Sequence, residues 1–117
     1  MSDKMTKIEI ITRNSKFEEL KEALNQIGVT GMTMTQVLGC GTQKGVTEYY
    51  RGVPYEMNLL PKVKVEIVAC EVPVETVIET AEKILNTGAI GDGKIFVYNI
   101  DTVIRIRTGD RDREALK

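Results

Sequence analysis

The 117-residue chain has no histidine and no tryptophan, and only 5% of its residues are aromatic. Histidine is the side chain that most often serves as a general base or a metal ligand, so an enzyme built on this sequence would have to rely on lysine or on carboxylates. The sequence also contains no visible set of a nucleophile, a base and an orienting group. We therefore predict that the protein is not an enzyme.

Cysteine is also scarce, with only Cys40 and Cys70. Two cysteines cannot form a disulfide framework and their spacing fits no zinc motif, so we expect both to be small, reduced residues in or near the core. No apolar run approaches the roughly 20 residues that cross a membrane, and the first residues, MSDKMTK, lack the apolar centre of a signal peptide. These absences predict a cytoplasmic protein without membrane insertion, ordered from about Lys7 onward.

The chain has no excess of either charge, since its net charge is −1. A protein that binds nucleic acid or an anionic membrane electrostatically needs a basic surplus, so we expect neither partner. What is present is ordinary for a globular protein: 42% apolar and 28% charged residues, at a length that suits one domain with one core.

Alternation of apolar and polar residues predicts strands, and apolar residues along one helical face predict helices. The predicted strands are 7–13, 31–39, 62–70, 94–100 and 102–107, the predicted helices are 14–28 and 73–88, and residues 112–117 are a loose turn or a frayed helix. Ser15 with Glu18 predicts a capping box at the start of the first helix, and Gly28 predicts its end. Pro73 suits the first turn of the second helix, which Gly88 closes.

This order of elements consists of two βαβ-like halves and predicts an α+β fold, a ferredoxin-like βαββαβ sandwich with an added C-terminal strand. Residues 1–117 form a single domain, with a long flexible loop at about 41–60 between strands two and three. Both helices would cover one face of the sheet. Ile11, Val68 and Val103 are too apolar for a fully solvated opposite face, so we expect that face to be buried in a homo-oligomer.

Residues 39–58, GCGTQKGVTEYYRGVPYEMN, hold three of the four tyrosines together with four glycines and a proline. This composition predicts neither a core nor regular structure, and connections of this length are usually functional or disordered. One interpretation is a disordered insertion. We favour the other, a protein-contact surface, because Arg51 stands beside Tyr49 and Tyr50, and arginine and tyrosine are frequent interface anchors.

Two further stretches could bind an anion. TGAIGDGK, residues 87–94, is a glycine-rich turn whose backbone amides and Lys94 could cradle a phosphate, although on its own a helix cap followed by a tight turn is the simpler interpretation. Period-two spacing puts Arg105 and Arg107 on one face of the last predicted strand, where they are either solvated or available to phosphate oxygens. If the sandwich brings both stretches together, they form one anion site.

Five blocks of the sequence resemble the PII family of nitrogen-regulatory signal-transduction proteins: GMTMTQVLGCG, QKGVTEYYRGVPY, LPKVKVEIV, TGAIGDGKIFV and RIRTG. Together they extend the resemblance over nearly the whole chain. It implies a compact homotrimer that binds ATP or ADP in each cleft between subunits, with a flexible loop that reports the bound ligands to partner proteins. The nucleotide contacts that it implies are Gly91, Asp92, Gly93, Lys94, Arg105 and Arg107 at the phosphates, and Gly39, Gly41, Ile11, Thr33 and Val68 along the cleft.

The second ligand of the family is 2-oxoglutarate, held on a Mg²⁺ ion that also touches the three ATP phosphates. The resemblance assigns Gln43 to the metal and Lys62 to the distal carboxylate of 2-oxoglutarate. Lys44 and Gly45 match positions at the base of the loop. Mg²⁺ takes six hard oxygens, which an amide, phosphates and a keto acid can supply, and ADP lacks the γ-phosphate for this shell. One site would then read both the energy state and the carbon–nitrogen balance.

The resemblance also extends to modification and partners. Tyr55 matches a tyrosine that is uridylylated or adenylylated in some lineages, and Arg51 matches an arginine that plugs ammonium channels. The implied partners are an ammonium channel, glutamine synthetase or nitrogen transcription regulators. The chain departs from the family pattern at Thr42, where many relatives have a phosphate-binding arginine, at residues 13–15, and at Val53, where cyanobacterial relatives have a phosphorylated serine.

Two other functions remain open from the residues alone. A small-molecule-sensing ferredoxin-like module would lack the long loop. A binder of single-stranded RNA would need exposed aromatic residues on central strands, and only Phe96 and Tyr98 are available for such stacking.

Overall fold

The structure is a computed structural model that describes the backbone of residues 4–42, 48–50, 53–55 and 57–117, and the side chains outside residues 41–58. Its strands are β1 (Met5–Arg13), β2 (Thr33–Thr42), β3 (Glu48–Tyr50), β4 (Val53–Tyr55), β5 (Met57–Ala69) and β6 (Lys94–Ile100). Its α-helices are α1 (Phe17–Gln26) and α2 (Val74–Leu85), and 3-10 turns cover Asn14–Lys16 and Asp112–Leu116. None of the described helices is long and apolar enough to span a bilayer.

Four strands form an antiparallel sheet in the order β2-β5-β1-β6. β1 lies inside the sheet, where Ile8 stands opposite Ile67 of β5 on one side and Val97 of β6 on the other. The chain passes from β1 through α1 to β2, and from β5 through α2 to β6. This arrangement is the ferredoxin-like sandwich that the sequence predicts.

The core lies between this sheet and the two helices, as predicted. Alternate residues of the central strands are buried on the helix side, for example Ile10 and Val65, which face each other across β1 and β5. Leu20 of α1 and Val77 of α2 belong to the same buried cluster. Because successive strand residues point to opposite faces, the alternation in the sequence places these apolar side chains under the helices.

The opposite face of the sheet carries paired charges. Lys7 of β1 lies 2.6 Å from Glu66 of β5, and Lys64 of β5 lies 3.6 Å from Glu9 of β1. The hydrogen bond between Lys7 and Glu66 raises the pKa of the lysine and lowers that of the glutamate. The charges of this face therefore largely neutralise one another within a single chain.

The apolar residues that suggested an oligomer are not concentrated on this face. Ile11 and Val68 are half-buried between the charged side chains, and Val103 follows β6 and belongs to no strand. An oligomer is therefore not required by an apolar sheet face, and the better reason for one comes from the functional site below.

The start of α1 differs from the prediction. Ser15 lies in a 3-10 turn ahead of the helix, the N-cap is Lys16, and no side chain makes a capping hydrogen bond, so the predicted capping box of Ser15 and Glu18 is wrong. Gly28 has a φ of +101°, in the left-handed region that glycine tolerates, and it ends the helix as predicted. Pro73 is the N-cap of α2, one position before the first turn.

Two expectations about the first half of the chain are also wrong. The ordered strand begins before Lys7, since Met5 and Thr6 are buried in β1. Cys40 is exposed on β2 and lies away from the core, whereas Cys70, just after β5, is half-buried.

Residues 39–58 contain more regular structure than their composition predicts. β2 continues to Thr42 and β5 begins at Met57, and these two residues face each other in the antiparallel register. β3 and β4 form a separate two-stranded sheet, in which Glu48 stands opposite Tyr55. The segment outside the four-stranded sheet is therefore shorter than the predicted loop of about 41–60.

The predicted C-terminal strand at 102–107 is wrong. Ile104 makes one isolated bridge to Arg111, and Gly109, with a φ of +75°, lies between the bridged residues. Arg105 and Arg107 therefore do not share a strand face, and their spacing alone does not align them.

The C-terminal segment folds on itself through Asp112. Its carboxylate accepts hydrogen bonds from the hydroxyl of Thr102 at 2.8 Å and from the N–H of Val103 at 3.2 Å. The hydroxyl bond, followed by the backbone bond, lowers the pKa of Asp112. The hydroxyl of Thr102 and the N–H of Val103 thus find a hydrogen-bond acceptor without a neighbouring strand.

Candidate functional site

The glycine-rich turn at residues 87–94 rests on the end of β1. The hydroxyl of Thr12 donates a hydrogen bond to the carbonyl of Asp92 at 2.8 Å. Arg13 forms an ion pair with the carboxylate of Asp92, and its Nη2 donates to the carbonyl of Ile90 at 2.9 Å. Two successive strand residues thus hold the turn in one position.

Asp92 organises the turn from within. Its carboxylate accepts the hydroxyl of Thr87 at 2.5 Å, the N–H of Thr87 at 2.8 Å and the N–H of Gly88 at 3.0 Å, besides the guanidinium of Arg13. The hydroxyl bond from Thr87 and the guanidinium of Arg13 hold the pKa of Asp92 well below its usual range. A carboxylate with four donors has little capacity left for a ligand, so Asp92 acts in this structure as a structural anion.

Glycine is required where the turn meets the strand. Gly93 has a φ of +107°, and a Cβ at this position would lie 1.9 Å from the carbonyl oxygen of Ile11. Gly91 has a φ of +104°, and a Cβ there would lie 3.1 Å from Nη2 of Arg13. Both residues combine a left-handed backbone with a close neighbour, which explains the GDG pattern.

Lys62 of β5 reaches the same turn. Its Nζ donates a hydrogen bond to the carbonyl of Gly91 at 2.9 Å, and its stem passes Gly39 of β2, where an added Cβ would lie 3.1 Å from Cγ of Lys62. Arg13 stands directly opposite Lys62 in the strand register. Two cations therefore converge on Gly91, and among the described residues only one carboxylate, Asp92, balances them.

Arg13 was not among the predicted site residues. The sequence contains a signal for it, because Arg13 ends the first predicted strand as the chain turns toward the helix. Its proximity to Lys62 depends on the β1–β5 register, which the sequence pattern does not specify.

The predicted site residues fall into two groups. A cavity of about 460 Å³ between α2 and β6 is lined at the turn by Ile11, Asp92, Gly93 and Lys94. A separate cavity of about 940 Å³ is lined by Thr33, Val68 and Arg105, together with other residues. The two cavities share no lining residue.

The distance between the groups follows from the strand. Lys62 at the turn and Val68 at the larger cavity are six residues apart on β5, which corresponds to about 20 Å. Arg105 and the glycine turn are therefore not brought together within one chain, contrary to the expectation of a single anion site.

The two arginines of RIRTG have different surroundings. Arg105 is half-buried and lies 3.1 Å from the carboxylate of Asp110, whereas Arg107 is exposed and makes no hydrogen bond within the described part of the chain. Of these two arginines, Arg107 is the one whose guanidinium is exposed and not hydrogen-bonded to the described residues.

The family model for nitrogen regulatory protein P-II matches residues 5–110. The chain belongs to the PII family. A PII-like protein of Bacillus subtilis is 54% identical over 99% of this chain and 100% of its own length, and the Pasteurella multocida P-II protein is 50% identical over 96% of this chain and 100% of its own.

Solved PII structures share the fold as well. A B. subtilis GlnK–ATP complex superposes with a TM-score of 0.84 at 49% identity and covers 99% of both chains. Arabidopsis thaliana PII bound to citrate gives a TM-score of 0.77 at 38% identity, with 96% of this chain and 92% of that chain covered.

Several residues that the PII resemblance assigns lie outside the described part of the structure. These are Gln43, Lys44, Gly45 and Arg51, and the side chains of Tyr50 and Tyr55 are also not described. Gly41 lies in β2 opposite Asn58 of β5, two positions beyond Gly39. Within the described ranges there is no group of three acidic, cysteine or histidine residues that could hold a metal ion.

Proposed function

We propose that the protein is a PII signalling protein whose nucleotide sites lie between subunits. The observation that carries this proposal is the separation of the predicted nucleotide residues into two groups about 20 Å apart along β5. A single chain cannot place both groups on one nucleotide. If each cleft takes the turn of one subunit and the Thr33–Val68–Arg105 group of the next, the two half-sites complete each other.

The end of the site at the glycine turn suits an anionic ligand. Lys62 and Arg13 converge there, Lys94 follows in the turn, and Asp92 is already saturated by its own donors. An arginine and a lysine at a glycine-rich turn are groups that bind phosphate and carboxylate oxygens. The related GlnK solved with ATP and the related PII solved with citrate support both ligand classes for this chain.

Mg²⁺ fits this donor set only together with its ligands. The described residues offer no carboxylate cage, so most oxygens of the shell would come from ATP phosphates and 2-oxoglutarate, with Gln43 supplying the protein oxygen. When bound, the metal would supply positive charge that offsets the charge of the anionic ligands. Lys62 would exchange its bond to the carbonyl of Gly91 for the distal carboxylate of 2-oxoglutarate.

The partner-binding part of the proposal concerns residues 43–56. β3 and β4 pair with each other and with no strand of the main sheet. Tyr50 and Arg51 would contact an ammonium channel, glutamine synthetase or a nitrogen transcription regulator, and Tyr55 would be open to nucleotidylation. We propose a cytoplasmic regulator that reads ATP, ADP and 2-oxoglutarate and performs no catalysis of its own.

An RNA-binding function has little support. Phe96 and Tyr98 lie on β6, which is an edge strand. The Nζ of Lys7 lies 5.5 Å from the centre of the Tyr98 ring, and a hydrogen bond with Glu9 raises the pKa of Tyr98. An aromatic ring engaged on both its face and its hydroxyl is a poor platform for base stacking.

The test is calorimetric titration of ATP, ADP and 2-oxoglutarate into the wild type and the Gln43→Ala variant, with Mg²⁺ and with a chelator. If a shared metal shell couples ATP to 2-oxoglutarate, each tightens the other by the same factor, typically ~1–3 kcal/mol and larger for a directly bridging metal. Gln43→Ala should abolish 2-oxoglutarate binding and leave ADP affinity nearly unchanged, since ADP does not build the shell.

Lys62→Met is a second test variant in this experiment. It should weaken 2-oxoglutarate through the lost carboxylate contact while the metal is still held. Binding of 2-oxoglutarate that is equally tight beside ADP, or without Mg²⁺, would disprove the proposed coupling. A chain that binds no nucleotide at all would instead favour a ferredoxin-like sensing module without PII ligands.

A further inference from the structure

Arg105 is held by the last residues of the chain. Its Nη2 donates to the backbone carbonyls of Glu114 at 3.3 Å, Ala115 at 3.2 Å and Lys117 at 2.6 Å. Its Nη1 donates to Asp110 at 3.1 Å. We name residues 114–117 the tail. Three of its backbone carbonyl oxygens accept hydrogen bonds from the same guanidinium nitrogen of Arg105.

These contacts use the part of the guanidinium that a phosphate needs. A guanidinium binds two oxygens of one anion through Nη1 and Nη2 together, or through Nη2 and Nε together, and both arrangements include Nη2. The two N–H groups of Nη2 are already directed at three carbonyls of the tail. In this state Arg105 cannot grip a phosphate with two hydrogen bonds.

The tail also lines the cavity that contains several of the predicted nucleotide residues. The cavity of about 940 Å³ that contains Thr33 and Val68 is lined on another side by Ala115, Leu116 and Lys117. Leu116 is apolar, the tail carbonyls are acceptors, and the ammonium group of Lys117 is paired with Glu114 at 2.9 Å, so this wall is a poor partner for a polyanion.

We propose that the tail is an autoinhibitory latch, which competes with the nucleotide phosphates for Nη2 of Arg105 and must leave when a nucleotide binds. This inference rests on the proposed nucleotide function. The folded segment around Asp112 would stay in place during release, because its bonds to Thr102 and Val103 do not involve Arg105. Only the residues after Arg113 would move.

The test is calorimetric titration of ATP and ADP into the full chain and into a chain that ends at Arg113. Removal of the tail should tighten binding of both nucleotides about 3- to 10-fold, the factor expected when one or two competing hydrogen bonds are lost. The matched control is Lys21→Ala in the full chain, which removes a 2.9 Å side-chain contact to Glu18 on α1 and lies outside both cavities and the tail. Its affinities should equal those of the wild type.

A second measurement on the unmodified chain does not depend on the truncated variant being folded. Hydrogen–deuterium exchange of the peptide that contains the tail should become faster when Mg²⁺-ATP is added. Weaker binding by the truncated chain, or slower exchange of the tail with ATP, would show that the tail positions Arg105 for the nucleotide. Unchanged binding would show that the tail has no effect on the nucleotide, and each of these results would overturn the latch. If neither the full nor the truncated chain binds nucleotide, it is the proposed function that fails.

Discussion

Arg105 and Arg107 are two residues apart in the sequence, yet their roles at the residue scale differ. Arg105 donates hydrogen bonds to the carboxylate of Asp110 and to the backbone carbonyls of Ala115 and Lys117. Arg107 is exposed and has no hydrogen-bonded partner among the described residues. A substitution of Arg105 should therefore remove hydrogen bonds within the chain, whereas a substitution of Arg107 should remove none among the described residues.

Arg107→Met should weaken ATP binding about 10- to 100-fold, because a charge-assisted hydrogen bond contributes ~1.5–3 kcal/mol. The free energy of unfolding should change little, since the side chain is exposed. Titration calorimetry and urea denaturation measure the two effects. Arg111→Met, which removes an exposed arginine outside the predicted set, is the control and should leave ATP affinity as it is. Equal ATP affinity in the Arg107 variant would mean that this arginine is merely solvated.

We expect Asp92 to make the free energy of unfolding depend on pH. Donors from Thr87, Gly88 and Arg13 depress its folded pKa below the unfolded value of about 3.9, so its contribution is fully present above that pH and is lost as the pH falls toward the folded pKa. Asp92→Asn should lower the free energy of unfolding at pH 7. Its deficit relative to the wild type should shrink between about pH 4 and pH 2.

Urea denaturation at pH 7, 5 and 3 measures this difference. Asp101→Asn serves as the control, since Asp101 is exposed and lies outside the turn. A deficit for Asp92→Asn that is the same at every pH would show that the loss comes from the geometry of the turn and not from the ionised carboxylate.

At the scale of elements, the β2–β5 pair and the β3–β4 pair are distinct units. The first belongs to the four-stranded sheet through Thr42 and Met57, whereas the second pairs only with itself. Stability of the domain should therefore depend on the first pair and binding of partners on the second.

Deletion of residues 46–56 should leave folding, assembly and nucleotide binding intact. Because Thr42 and Met57 face each other, the shortened chain would join the two strands by residues 43–45, a connection of ordinary hairpin length. Binding to a partner such as an ammonium channel should disappear, as measured by co-purification or by titration. A large drop in melting temperature would show that β3 and β4 support the fold.

At the scale of the whole molecule, the proposed nucleotide residues of one chain fall into two separate groups. The turn with Lys62 lies at one end of the sheet, and the cavity with Arg105 lies at the other. A closed ring of identical subunits satisfies every half-site, whereas a monomer leaves both incomplete.

We expect light scattering at micromolar concentration to give three times the 13.1 kDa chain mass. The reason is the completion of the proposed split site, whose two groups of residues lie at opposite ends of the sheet. The deletion variant that lacks residues 46–56 serves as the comparison. It should also be a trimer, because β3 and β4 take no part in the main sheet. A monomeric mass would remove the inter-subunit nucleotide site together with the trimer.

The sequence by itself determined the family, the two helices and the strands of the main sheet. Period-two alternation located β1, β5 and β6, the apolar stripes of α1 and α2 located the helices, and their order led to the ferredoxin-like sheet. The GDG pattern indicated a special turn because glycine alone tolerates its backbone angles and the close approach of β1.

Only the tertiary structure decided which residues that are distant in the sequence contact one another. Alternation tells which face a side chain occupies, but a strand also needs a paired neighbour. Within the described part of the structure, residues 102–107 make only the bridge of Ile104 to Arg111, and they fold around Asp112 instead. The convergence of Arg13 and Lys62 depends on strand register, and the capture of Arg105 by the tail depends on backbone carbonyls that no side-chain pattern encodes. Contacts of these kinds join residues far apart in the sequence or involve only the main chain, which is why residue types and spacing do not reveal them.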